Sequence, residues 1–221
     1  MNNSLVALKK FMSTEHLSFL GRMFQRSADP LPTFKWRYDS EVCINLYDPI
    51  KSAEASVAEN TYSSDERRLL FNNLVDCLDA TQEMVCPYAE FSLASIFGLY
   101  ATQDPTLYRT ILFGSTIYPR LITSDFISSG STRLETNRVK ILDQGHVGEL
   151  YGIQLMTDSY RHPDTRSIGK QNWWTFPDPS IVGSYHISES DLRLEGDKLV
   201  WHRVTTIELK DISNVSLITV A

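Results

Sequence analysis

The chain has 221 residues, 42% of them hydrophobic and 22% charged, enough apolar material to bury a core and too much for a disordered chain. Its formal net charge is -6. That balance argues against nucleic-acid binding, generic or sequence-specific, as its main role, since such proteins carry a basic face against phosphate.

Taken in chain order, Leu5, Leu8, Met12, Leu17, Leu20 and Phe24 recur at mostly three- and four-residue steps and predict a helix over 4–26. The stretch "SADPLP" at 27–32 ends it, because its prolines cannot donate backbone bonds. This helix either docks on its own domain or packs as an arm on a neighbouring subunit. The N-terminus lacks the apolar centre of a signal peptide, and no apolar run reaches the roughly 18 residues of a membrane span. A soluble protein assembled inside a cell is expected, with no membrane partner. Cys43, Cys77 and Cys86 fit neither a disulfide framework nor a zinc pattern, and a reducing compartment suits them.

At 33–48 the period changes to two. Phe34, Trp36 and Tyr38 share one face, and Val42, Ile44 and Leu46 share another run, so Asp39-Ser40 is read as the turn of a hairpin. Residues 49–62 read as a polar connection. A helix begins at Ser63, with Glu66 completing a capping box and Leu70, Leu74, Cys77 and Leu78 as its buried stripe. An extended run follows through Cys86, Pro87 opens a helix over 88–101, and Asp104-Pro105 starts a short helix through Leu112. Strands are then expected near 115–123, 137–142, 152–157, 180–188, 191–195, 198–209 and 214–220, with "EGDK" at 195–198 as a hairpin turn. Helices gathered in the N-terminal half and mixed or antiparallel sheets in the C-terminal half give an α+β fold. The expected division is a helical arm at 1–32, a hairpin and connection at 33–62, and a main α+β domain at 63–221.

Candidate sites are few. Gly145, Gly148 and Gly152 have neither the spacing of a dinucleotide loop nor the lysine of a P-loop, and a strand pattern follows them, so they read as turn glycines. His146 with Glu149, and His162 with Asp164, lack the third ligand a metal centre needs. No nucleophile elbow is present around Ser128, Ser129 and Ser131, and Cys86 has no catalytic signature. No cofactor or metal is expected, and no catalytic residue is assigned. The densest aromatic cluster is "NWWTF". Trp173 and Trp174 point to opposite faces of an extended chain, so Trp173, Trp174 and Phe176 are candidates for an interface or inter-lobe plug. Phe34, Trp36, Leu17 and Leu20 are the other candidate interface residues.

The stretch "RVKILDQGHVGELYGIQLMTDSYRHPD" resembles a C-terminal segment of tailed-phage major capsid proteins, whose fold encapsulins share. The resemblance is carried by Gly145, Val147, Gly148, Leu150, Gly152 and Ile153, then Thr157, Asp158 and Pro163. Upstream, "DATQEMVCPYAEFSLASIF" is similar to that family's strand leading into a proline-preceded helix. The motif covers about 25 residues and the looser agreement spans roughly 68–163. The hairpin is smaller than that family's extended loop, and "NWWTF" has no counterpart in it. The resemblance implies a capsid-like α+β fold with an N-terminal arm and a hairpin. It implies a virion structural protein, assembled in the host cytoplasm, whose partners are its own copies and other virion proteins. Two other readings stand beside it: a non-enzymatic adaptor binding one protein partner through Trp173 and Trp174, and a small enzyme using His146 and His162.

Overall fold

The computed structural model describes residues 20–45, 64–78, 83–86, 108–114, 132–134, 146–150, 152–157, 172–191, 193–196 and 198–220. Two sheets and the helix α1 (Ser64–Cys77) organise these residues.

The first sheet is built on β11 (Lys198–Leu209), the longest strand. One edge of β11 pairs antiparallel with β2 (Trp36–Asn45) along its whole length. The other edge pairs with β10 (Arg193–Glu195) and then with β9 (Gly183–Glu189), to which β1 (Gln25–Arg26) adds in parallel. The turn predicted at 195–198 is present: Glu195 pairs with Lys198, and Gly196 takes φ 65°, a conformation a side chain would strain.

β2 corrects the expected hairpin. The apolar positions keep one parity from Trp36 through Tyr38 to Val42 and Ile44, so the period-two signal never changes phase at Asp39-Ser40. One ten-residue strand satisfies it, and β11 supplies the ladder partner from far along the chain. Residues 20–35 wrap the end of this sheet. Residues 20–23 are helical, Ser27 N donates to the Tyr185 carbonyl at 2.7 Å, and Lys35 N donates to the Ile207 carbonyl at 2.8 Å. The helix expected over 4–26 therefore ends before β1, while 4–19 lies outside the described residues.

The second sheet runs in the order β3 (Glu83–Cys86), β12 (Ser216–Val220), β8 (Asn172–Pro177), β4 (Tyr108–Phe113), β7 (Ile153–Thr157), β6 (His146–Leu150), β5 (Thr132–Leu134). It is mixed: β4 is parallel to β7 and antiparallel to β8, and β12 is parallel to β3. The short helix expected through Leu112 is a strand from Tyr108. Its β-branched and aromatic residues fit a pleated surface, and β7 and β8 satisfy its backbone on both sides. The concentration of helices in the N-terminal half is not confirmed: strands dominate the described residues, and 88–101 lies outside them, as do the strands expected at 115–123 and 137–142.

α1 joins the sheets. Leu70, Phe71 and Leu74 are buried on its inner side in one core with Leu112, Met156 and Leu217 of the second sheet and Tyr38, Tyr185 and Ile207 of the first. Asn73 Nδ2 donates to the Tyr38 hydroxyl at 3.0 Å. Leu20, Met23 and Phe24 enter the same core. Among the described residues, no helix is long and apolar enough to cross a membrane.

The chain passes from the second sheet to the first through α2 (Pro179–Val182), where only strand was expected from 180. Asp178 caps this single turn, its Oδ1 accepting from Ser180 N at 3.0 Å, and Pro179 occupies the first position. The chain returns over 210–215, and Lys210 N donates to the Val182 carbonyl at 3.0 Å, tying the two crossings together. Gly183 sits at this joint, and a Cβ there would run into the Glu208 carbonyl of β11. Backbone cannot yield as a side chain can. Gly183→Ala is expected to cost about 1–3 kcal/mol by overpacking, read as a lowered urea midpoint at unchanged slope; an unchanged midpoint would show that β9 and β11 are not this close.

Candidate interaction surfaces

The aromatic segment at 172–177 is inside the molecule. β8 lies between β12 and β4, so it is an internal strand, and its side chains alternate between two covered faces. On one face Trp174 and Phe176 stack at 6.1 Å with planes 18° apart, and Phe71 of α1 meets them at 5.8 and 6.4 Å. On the other, Trp173 lies 5.7 Å from Phe113 and is 1% exposed, with Ile111, Leu155 and Ile218 buried on the same side. The opposed tryptophans read from the sequence are therefore correct in geometry. Their place is not at an exposed interface: Trp173, Trp174 and Phe176 are core residues of this chain.

The other candidates divide. Leu20 is buried in the core, Leu17 lies outside the described residues, and Trp36 is half-buried against the core with Lys35 Nζ 5.9 Å from its ring centroid. Phe34 is 47% exposed and remains available at the surface. Gly152 has φ 84° in the two-residue turn joining β6 to β7, with Leu150 paired to Ile153 across it. Gly148 follows a register shift in β6, and Gly145 lies outside the described residues. His146 is in β6 opposite Met156, and His162 is outside the described residues. Among the described residues no group of three His, Cys, Asp or Glu side chains is placed to hold a metal.

The outward face of the first sheet is polar. Arg37 donates through Nε and Nη2 to the two Asp39 carboxylate oxygens at 3.1 Å each, and that hydrogen bond with the adjacent negative charge raises the Arg37 pKa. Across the ladder, His202 Nδ1 lies 3.4 Å from Glu41 Oε2. Both pairs are exposed and solvent-screened and add little stability; Arg37–Asp39 lies within one strand, and only Glu41 and His202 face each other across the ladder.

Two features were missed from sequence. Arg203 projects from the inward face of β11 beside Trp201 and Thr205 and is 2% exposed, and burial pushes its guanidinium down to about 9. A charge inside an alternating strand reads as an outward position, and only the parity of Trp201, Arg203, Thr205 and Ile207 would have placed it inward. Leu194, 66% exposed in β10, was absorbed into the expected strand at 191–195 without notice of its exposure.

No protein-family model matches the sequence, and no curated protein matches it. Solved structures do. The capsid of the cyanophage P-SCSP1u aligns over 88% of this chain and 79% of its own, with TM-score 0.43 and 10% identity. A chain from Mycobacterium phage Che8 aligns over 88% of this chain and 76% of its own, with TM-score 0.46 and 15% identity. The virus-like particle from Pyrococcus furiosus aligns over 95% of this chain and 98% of its own, with TM-score 0.50 and 9% identity. With both chains spanned almost end to end, the protein has the fold of that virus-like particle subunit.

Proposed function

We propose that the chain is a structural subunit of a virus-type shell, built by self-association and without catalysis. One observation carries the reading: the fold of a virus-like particle subunit is matched over nearly the full length of both chains. The glycine-rich segment around Gly148 and Gly152, which resembles a phage capsid segment, supports it by forming a turn between paired strands. An arm at 1–32 and a main domain at 63–221 belong to this proposal, with β2 in place of the hairpin expected within 33–62, as do a virion location, assembly in the host cytoplasm and contacts with other virion proteins. The adaptor reading rested on accessible tryptophans, and their burial removes its anchor.

Self-association has a direct readout. Sedimentation velocity over a wide concentration range, in low and high salt, should show large species that grow with concentration. A single monomer boundary across every condition would contradict the reading.

A further inference from the structure

β10 is the short end of the first sheet, and all three of its residues, Arg193, Leu194 and Glu195, are exposed. Leu194 is the most exposed large apolar side chain among the described residues. On its inner side β10 pairs with β11 through Arg193↔Val200, Leu194↔Leu199 and Glu195↔Lys198, which closes a hairpin over a two-residue turn. In such a hairpin the residues flanking the turn exchange both backbone bonds, and the next pair turns its N–H and C=O groups away from the partner strand. Here that residue is Leu194. Its backbone donor and acceptor face the outer edge, where no described strand lies.

We propose that β10 is a self-complementary docking edge whose occupant is β10 of a second copy of this chain. A two-fold axis through Leu194 sets the two strands antiparallel. Leu194 meets its own counterpart and the two exchange N–H···O=C bonds. Arg193 then stands opposite Glu195 of the other copy on both sides of the axis, on the face away from the leucines.

The charge order selects this occupant and this direction. Arg-Leu-Glu is its own complement when reversed, so an identical strand covers the leucine and satisfies both charges. A parallel copy would set Arg193 against Arg193 and Glu195 against Glu195, and like charges directly opposite destabilise a ladder. Short charged edges also serve to block pairing. Here the two charges are opposite and flank an exposed leucine, so a reversed copy meets each of them with its opposite.

The contact is three residues wide, so it is weak alone and gains from repetition in an assembly. It rests on the self-association reading and names one contact within it.

The test uses the full chain with Leu194→Cys, treated with a short bifunctional thiol crosslinker, against wild type as the background from the native thiols. A crosslinked dimer above background is expected. Adding Arg193→Glu, or Glu195→Arg, sets like charges opposite each other twice and should lower dimer yield on the order of tenfold. Adding both substitutions together reverses the order of charges, restores the complement and should restore the dimer. All three positions are exposed, so the variants should fold as the parent does. No dimer from Leu194→Cys, or equal yields from all four variants, would overturn the proposal. Electron microscopy of the same samples separates the two readings: particles without the crosslink remove this contact but keep self-association, whereas crosslinked dimers without particles keep the contact and remove the shell.

Discussion

Truncating Trp174 to alanine should cost about 3–5 kcal/mol of folding stability. Trp174 is fully buried, stacks with Phe176 and meets Phe71 across the space between β8 and α1. The cavity opens where the helix is held to the second sheet, and the neighbours are large rings that cannot collapse into it without leaving their own contacts. Against a total stability of about 5–15 kcal/mol for an ordinary domain, a loss of this size leaves a substantial unfolded fraction. Urea or thermal unfolding should show it directly. A variant that keeps the wild-type midpoint and loses only assembly would return Trp174 to the surface role its sequence context suggests.

Arg203→Met should remove an alkaline pH dependence of stability that the wild type carries, because it replaces the buried guanidinium of β11 with an apolar side chain. Arg203 is 2% exposed, and desolvation lowers its pKa from the ordinary guanidinium range to about 9. Because the folded pKa lies below the unfolded one, the unfolded chain binds more protons in the window that opens at about pH 9. This group therefore adds stability as pH rises through that window, and below it the full cost of the buried charge is present. Relative to Arg203→Met, the wild type should gain stability as pH rises above about 9 and show no such gain below it. A difference between the two proteins that stays constant through that range would contradict the lowered pKa.

These two residues mark where sequence reasoning stops. Strands whose signal is local were legible: 198–209 was read at its observed bounds, 152–157 and 214–220 nearly so, and the turn at Gly196 followed from its glycine. The helix beginning near Ser64 followed from its apolar spacing. What failed depends on distant partners. Asp-Pro was read as a helix start at 104–105, yet strand begins at Tyr108. The same pair at 178–179 does open a helical turn, and there it was passed over. At 178–179 the pair supplies a cap, whereas 104–105 lies outside the described residues, and in both places the residues that follow decide the outcome. Tyr108 to Phe113 find ladders on both sides, whereas the turn at 179–182 has to carry the chain from one sheet to the other.

The tryptophans show the same limit. Period two placed Trp173 and Trp174 on opposite faces, which is correct, but nothing local says that both faces are covered. That follows only when β12 and β4 flank the strand and α1 lies over it. For the candidate site the consequence is concrete. Among the described residues the aromatic cluster visible in sequence is core, and Leu194, exposed between opposite charges on a short edge, carries the proposed contact with another copy.

Electron microscopy of the purified chain at high concentration tests the central claim most directly. Closed particles or regular capsomer-like rings built from this chain alone are expected. A field of dispersed monomers, from protein shown to be folded by its cooperative unfolding, would contradict the assignment of this fold to a shell.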